Sequence, residues 1–164
     1  KKYAAVEETM KAILEEAEAL RRALTQGIED DAAAFEEVMK AYKLPKETEA
    51  QQTARQQAIE EAMTHATQVP LEAARKAVQV LTLAEKVINE GNLNAISDGA
   101  AGSAMAIAAL TGAGYNVRIN AIALADQSAA QTFLQEIAQL EKMAREIETR
   151  IRKALIERGG FPLA

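Results

Sequence analysis

The chain has no cysteine and no tryptophan, and its 164 residues include one histidine and three prolines. Without cysteine, disulfides, thiolate nucleophiles and zinc-thiolate centres are excluded. A lone His65 cannot build most histidine-based metal sites. A di-iron bundle would need repeated Glu-x-x-His, whereas residues 61 to 65 read EAMTH and space the pair by four. No metal is expected. Aromatic residues make up 4%, so a core must come from aliphatic side chains and alanine. Acids outnumber bases by 24 to 19, for a net charge of −5, which argues against general affinity for nucleic acid or acidic membranes. The opening KKYAAVEETM brings acids where a signal peptide needs an apolar run, so a cytoplasmic setting is the default expectation.

What is present points to helices. Hydrophobic residues reach 49%, mainly Ala, Leu and Ile, with helix-forming Glu, Lys, Arg and Gln at the polar positions. The length suits one domain spanning residues 1–164. Residues 99–117 are nineteen consecutive uncharged positions, enough by length for a membrane span. Ala, Gly and Ser dominate there, however, and only Met105, Ile107, Leu110 and Val117 are strongly apolar, so the spacing predicts a buried helix and no membrane span.

Periodicity divides the chain into about five helices in an all-α bundle. Val6, Met10, Ile13, Ala17, Leu20, Leu24 and Gly27 mark one face of a long first helix, resumed by Phe35, Val38 and Tyr42. Asp31 falls on that register, a carboxylate where a core side chain is due. LPKET, residues 44 to 48, breaks the chain, and a second helix starts near Glu47. Its inward register includes Arg55, so Asp31 is predicted to be buried and paired with Arg55 or Arg118. Val69-Pro70 kinks or ends the second helix, and a third runs from Leu71 to about Glu90 with Gly91 as its stop. Ser97 and Asp98 are candidate N-caps of a fourth helix with a small row, Ala100, Ala104, Ala108, Gly112, Asn116 and Asn120. The last helix carries a three-four seam from Phe133 and Ile137 to Ile151 and Ala154, stopped by Gly159 before a terminal coil GGFPLA. Taken alone, that seam would suit a non-catalytic helical interaction module.

GNLNAISDGAAGSAMAIAALTGAGYNVRIN, residues 91 to 120, gathers four asparagines, one aspartate and five glycines. Buried amides are costly unless satisfied, so Asn94, Ser97, Asp98, Asn116 and Asn120 read as a recognition site, with Arg118 and Lys46 as cations for ligand carboxylates. His65, among Thr and Ala, reads as structural or exposed. Asp98 and Asn116 share a face but lie ~27 Å apart on one straight helix. A helix break near Gly112 and Gly114, a long ligand, or a second subunit could bring them together. The small row favours a dimer with residues 100–120 near its twofold axis.

DAAAFEEVMKAYKLPKET (residues 31 to 48), VPLEAA (69 to 74) and the 91–120 segment together resemble the cyclodeaminase and cyclohydrolase family of tetrahydrofolate enzymes. The resemblance covers most of the chain. It implies an all-helical homodimer that takes a tetrahydrofolate derivative, polyglutamylated forms included, as substrate and requires no cofactor. It also implies a formiminotransferase, fused or separate, as a partner and a place in one-carbon metabolism and histidine degradation. The implied reaction is formimidoyltetrahydrofolate cyclodeamination, in which one folate nitrogen attacks the formimino carbon and ammonia leaves. The alternative is methenyltetrahydrofolate cyclohydrolysis, in which water adds to the same bridge. Asp98 and Asp31 are the implied acid-base carboxylates, the asparagines the pterin-reading edge, and Arg118 with Lys46 the contacts for the glutamate tail. The family's usual Pro-Gly-Gly-Gly-Ser opening has no counterpart ahead of KKYAAVEE, so a site partial at its N-terminal side is expected.

Overall fold

The computed structural model describes residues 3–163. Lys1, Lys2 and Ala164, the outer ends of the expected domain and terminal coil, lie outside the described residues. Two short 3-10 turns, Ala4–Val6 and Leu93–Ala95, accompany four long helices: α1 (Glu7–Tyr42), α2 (Glu49–Glu90), α3 (Ile96–Ala123) and α4 (Gln127–Gly159). The described residues are all-helical as expected, but with four long helices rather than about five.

The difference lies at Pro70, which sits buried inside an unbroken α2. A proline lacks the N–H that would bond the carbonyl four residues back. Here that carbonyl belongs to Ala66, and Asn120 Nδ2 of α3 donates to it at 2.7 Å. A neighbouring helix thus supplies the missing donor, and α2 continues.

Local chemistry sets the ends of the helices. Thr48 and Gln51 form a reciprocal capping box at the start of α2. Its C-terminus closes on Gly91, with the guanidinium of Arg158 donating to the carbonyls of Ile88 (2.7 Å) and Gly91. At the start of α3, neither Ser97 nor Asp98 is the cap. The preceding turn runs straight into the helix, Ala95 is the capping residue without a side-chain bond, and Asn92 Oδ1 accepts from Asn94 N at 3.0 Å. Asp126 caps α4 by accepting from Ser128 N and Ala129 N. Gly160, at φ 67°, ends α4 in the left-handed conformation, so it rather than Gly159 is the stop.

α2 is the hub: α1, α3 and α4 all pack on it, and α3 packs on α4. The main core joins Leu71, Leu81, Val117, Leu124, Ile137 and Ile151. The seam on α4 is largely consumed in that core, Phe133, Ile137, Ile147, Ile151 and Ala154 being buried.

α1 meets α2 at two separate places. Ile13 and Leu20 pack on Leu83 in a small second core, while Val38 and Ala41 join the main core beside Ala62 and Met63. Between Leu20 and Ala34 no residue of α1 is buried, and there the two helices leave a groove.

α3 is the least conventional element. Its inward face, Ile96, Ser103, Ala106, Leu110, Gly114, Val117 and Ala121, is buried. Its outward face is apolar yet open: Met105 is 73% exposed, Tyr115 68%, Ile119 62% and Ile122 75%. The helix expected to be buried is therefore buried on one side only, although by length and composition it is apolar enough to cross a membrane.

Candidate functional site

The groove between α1, α2 and α3 encloses about 550 Å³. α1 contributes Ala23, Gly27 and Asp31, α2 His65, Pro70 and Lys76, and α3 Ala113 and Asn116. Small residues make the space: a Cβ built on Gly27 would meet nothing within 4 Å. The groove thus brings together two of the residues singled out from the sequence, Asp31 and Asn116.

Asp31 is exposed, and its carboxylate has no hydrogen bond or ion pair among the described residues. The expectation of a buried Asp31 ion pair is therefore corrected. Its register does face α2, but where that face opens onto the groove instead of the core. The proposed partners are engaged elsewhere. Arg55 donates through Nη2 to Tyr42 O at 3.1 Å and lies 5.7 Å from the Tyr42 ring centroid. Arg118 makes two 2.8 Å bonds to Glu141 and one of 3.1 Å to Gly114 O. The Glu141 hydrogen bond raises the Arg118 pKa, and in return Arg118 holds the Glu141 carboxyl below its ordinary range.

That pair also explains a glycine. A Cβ at Gly114 would lie 2.8 Å from Glu141 Oε1 and 2.9 Å from Arg118 Nη1, so Gly114 makes room for the ion pair. Gly99 similarly admits Ile88, whose Cγ1 would be 2.8 Å from an added Cβ. Gly102 and Gly112 have open space.

The remaining expected residues separate. Asn116 donates to Gly112 O at 3.2 Å, leaving its Oδ1 to accept from a ligand. Asn120 spends its Nδ2 on Ala66, away from the groove lining. Asn94, Ser97 and Asp98 are all exposed at the N-terminal end of α3, with Asp98 in its first turn. α3 is unbroken at Gly112 and Gly114, so Asp98 and Asn116 stay ~27 Å apart within one chain. Lys46 is exposed in the α1–α2 loop and lines a smaller cleft with Arg55 and Gln52.

α2 supplies groove residues that the sequence reading does not single out for the site: His65, Gln68, Glu72 and Lys76. Their spacing of three and four is the available signal, a polar row on the flank of an otherwise apolar helix. Gln68, Glu72 and Lys76 form a bonded set. Gln68 donates to Glu72 at 2.9 Å, Lys76 Nζ lies 3.8 Å from Glu72, and Arg75 bridges Glu72 to Glu136 of α4. His65 Nδ1 lies 2.8 Å from Glu37 Oε2 of α1.

Comparison with known proteins finds a family for most of the chain. Residues 1–139 match the family model described as formiminotransferase-cyclodeaminase. The chain is 44% identical over 151 residues to a methenyltetrahydrofolate cyclohydrolase of Methylorubrum extorquens, covering 92% of this chain and 73% of that one. It is 30% identical over 137 residues to the formimidoyltransferase-cyclodeaminase of Sus scrofa, covering 84% of this chain and 25% of the pig protein, so it spans about a quarter of that length. Among solved structures, formiminotetrahydrofolate cyclodeaminase from Thermotoga maritima superposes with a TM-score of 0.83 at 29% identity, over 94% of this chain and 73% of that one. The family model over residues 1–139, the relatives and the shared helical scaffold agree: the chain belongs to the formiminotransferase-cyclodeaminase family.

Proposed function

We propose that this chain is a tetrahydrofolate one-carbon enzyme that works in the groove between α1, α2 and α3. The observation that carries this reading is an unpartnered carboxylate, Asp31, facing an amide, Asn116, across a family-typical scaffold. The methenyl bridge of the folate is cationic, and a carboxylate in a partly enclosed groove stabilises such a cation more strongly than bulk water does. Asn116 Oδ1 suits a donor on the pterin edge. Lys46 beside Arg55 replaces Arg118 as the pair suited to the carboxylate tail, because Arg118 is held by Glu141.

Of the two reactions, the reading leans to methenyltetrahydrofolate cyclohydrolysis. The supporting observation is the 44% identity to a cyclohydrolase, against 30% to the pig cyclodeaminase. Cyclodeamination is the second reading, supported by the Thermotoga likeness.

The enzyme is proposed to act as a homodimer. The exposed row of α3 runs from Asp98 through Ala101, Met105 and Ala108 to Tyr115, Ile119 and Ile122. An apolar row of this length calls for a cover. A second copy of α3, antiparallel about an axis near Ile107, would set its Asp98 beside Asn116, since Ile107 lies midway between them. The partner's Asp98 then completes the acid-base set with Asp31.

The test is spectroscopic. Faster loss of the near-ultraviolet chromophore of methenyltetrahydrofolate indicates cyclohydrolase, and its appearance from formiminotetrahydrofolate indicates cyclodeaminase. Neither signal changing would overturn the folate assignment.

A further inference from the structure

His65 is the chain's single histidine, and it sits where two cavities meet. One is the groove with Asp31 and Asn116. The other is a more open cleft lined by Glu37, Lys40 and Glu61. His65 is half-exposed, and Glu37 holds its Nδ1 at 2.8 Å. A carboxylate oxygen can only accept, so this contact assigns the hydrogen to Nδ1 and leaves Nε2 with a lone pair. Among the described residues Nε2 has no hydrogen-bond partner. An imidazole oriented by a carboxylate through one nitrogen and unengaged at the other is the arrangement that general acid-base chemistry uses.

The charged groups around it are accounted for on each side. From α1 come Asp30 and Asp31 on the groove side and Glu37 and Lys40 on the cleft side. From α2 come Glu61, Glu72 and Lys76, of which Glu72 is tied to Arg75 and Lys76. α3 contributes only the amide Asn116 among polar groups at the groove. Asp31 is therefore suited to hold the cation, and His65, with one ring nitrogen held by Glu37 and the other unengaged, is the group placed to take a proton and return it.

We propose that His65, oriented by Glu37, takes a proton from the water that adds to the methenyl carbon in the groove and returns it to the departing bridge nitrogen. This rests on the folate reading above. Water forms the C–O bond while one of its protons passes to Nε2 and the C=N electron pair moves to the bridge nitrogen. The resulting hydroxyl adduct then collapses to a formyl group. Its C–N bond to one bridge nitrogen breaks, that nitrogen takes the proton from the imidazolium with the bonding pair, and the hydroxyl proton leaves to solvent. One water is consumed and one proton released, and His65 ends neutral.

The experiment uses the chain as it stands with methenyltetrahydrofolate as probe, following loss of its chromophore. His65→Ala is expected to lower kcat about 100-fold with KM within about twofold. Free imidazole is expected to restore about tenfold of that loss, which a merely structural role would not allow. Glu37→Gln should lower kcat about tenfold, since the ring loses its orienting charge. Retention of more than about a third of the wild-type kcat in a folded His65→Ala chain overturns the proposal, as does a rise in KM with no imidazole rescue. A wild-type chain active only in cyclodeamination overturns it too. A wild-type chain that turns over neither folate removes the folate reading and this proposal together.

Discussion

The two faces of α3 are built from the same residue types but meet different surroundings. Inward, Ser103, Ala106, Gly114 and Val117 let α2 and α4 approach closely. Outward, Ala101, Ala104, Ala108 and Gly112 alternate with Met105, Tyr115, Ile119 and Ile122, and none of these is buried by the chain itself. A soluble surface helix ordinarily concentrates its apolar residues on one side. A helix with two apolar sides has one interface made within the chain, and in the proposed dimer the other side is covered by a second copy. The polar groups divide the same way: Arg118 and Asn120 bond across to α4 and α2, whereas Asp98 is exposed and Asn116 bonds only within α3.

Substitutions on each face break the comparison in opposite directions. The largest effect is expected from Val117→Asp on the inward face, where the residue is 0% exposed. An unpaired charge there should cost about 4 kcal/mol or more and abolish the cooperative thermal transition seen by circular dichroism. On the outward face, Ala108→Glu should leave helicity intact. Light scattering should then report a monomer, and turnover should fall about 100-fold if Asp98 acts across the interface. A monomeric wild type at micromolar concentration would remove the second interface.

Asp98→Asn sharpens the same point without disturbing packing. It preserves size and helix-start compatibility but removes the charge, so turnover should drop about 100-fold while the melting temperature stays within a few degrees. Near-normal turnover would remove Asp98 from the proposed site and leave Asp31 and His65 as its ionisable groups.

A smaller effect is expected at the Pro70 joint. Asn120→Leu leaves Ala66 O without its donor and should cost about 1–3 kcal/mol. Pro70→Ala restores an N–H four residues beyond Ala66, so in the double variant the cost of Asn120→Leu should shrink. Additive costs in chemical denaturation would mean that the amide bond contributes nothing specific.

The smallest effect concerns acid. Arg118 lowers the folded-state pKa of Glu141, so the pair's contribution is fully present above the ordinary carboxylate range and lost as pH falls through the depressed value. Glu141→Gln should therefore flatten the stability profile on the acid side and leave its shape at neutral pH unchanged.

Much of the fold was legible because periodicity reports burial directly. The α4 seam from Phe133 to Ala154 and the inward positions Ile13, Leu20 and Val38 of α1 are core residues as spaced. Pro70 misled because its backbone cost is met by Asn120, 50 residues away in sequence, a compensation that no local pattern displays. Asp31 misled for a related reason. Register states which face of α1 turns toward α2, but not that the helices part between Leu20 and Ala34. Arg118 drew attention as a cation in a polar segment, and only the position of Glu141 on α4 shows that its guanidinium is already taken. His65 was legible as a single unusual residue, while its pairing with Glu37 depends on how α1 folds back along α2.

The Asn120 bond to Ala66 also bears on how α3 finds its place. An alanine- and glycine-rich helix slides easily, because one small side chain fits a neighbour's surface almost as well as the next. A single directional bond to a carbonyl that the proline leaves without its helical donor does not slide. By leaving one carbonyl of α2 unclaimed at a fixed height, Pro70 acts as a notch into which only Asn120 drops, so that a helix with almost no shape of its own still has an alignment mark.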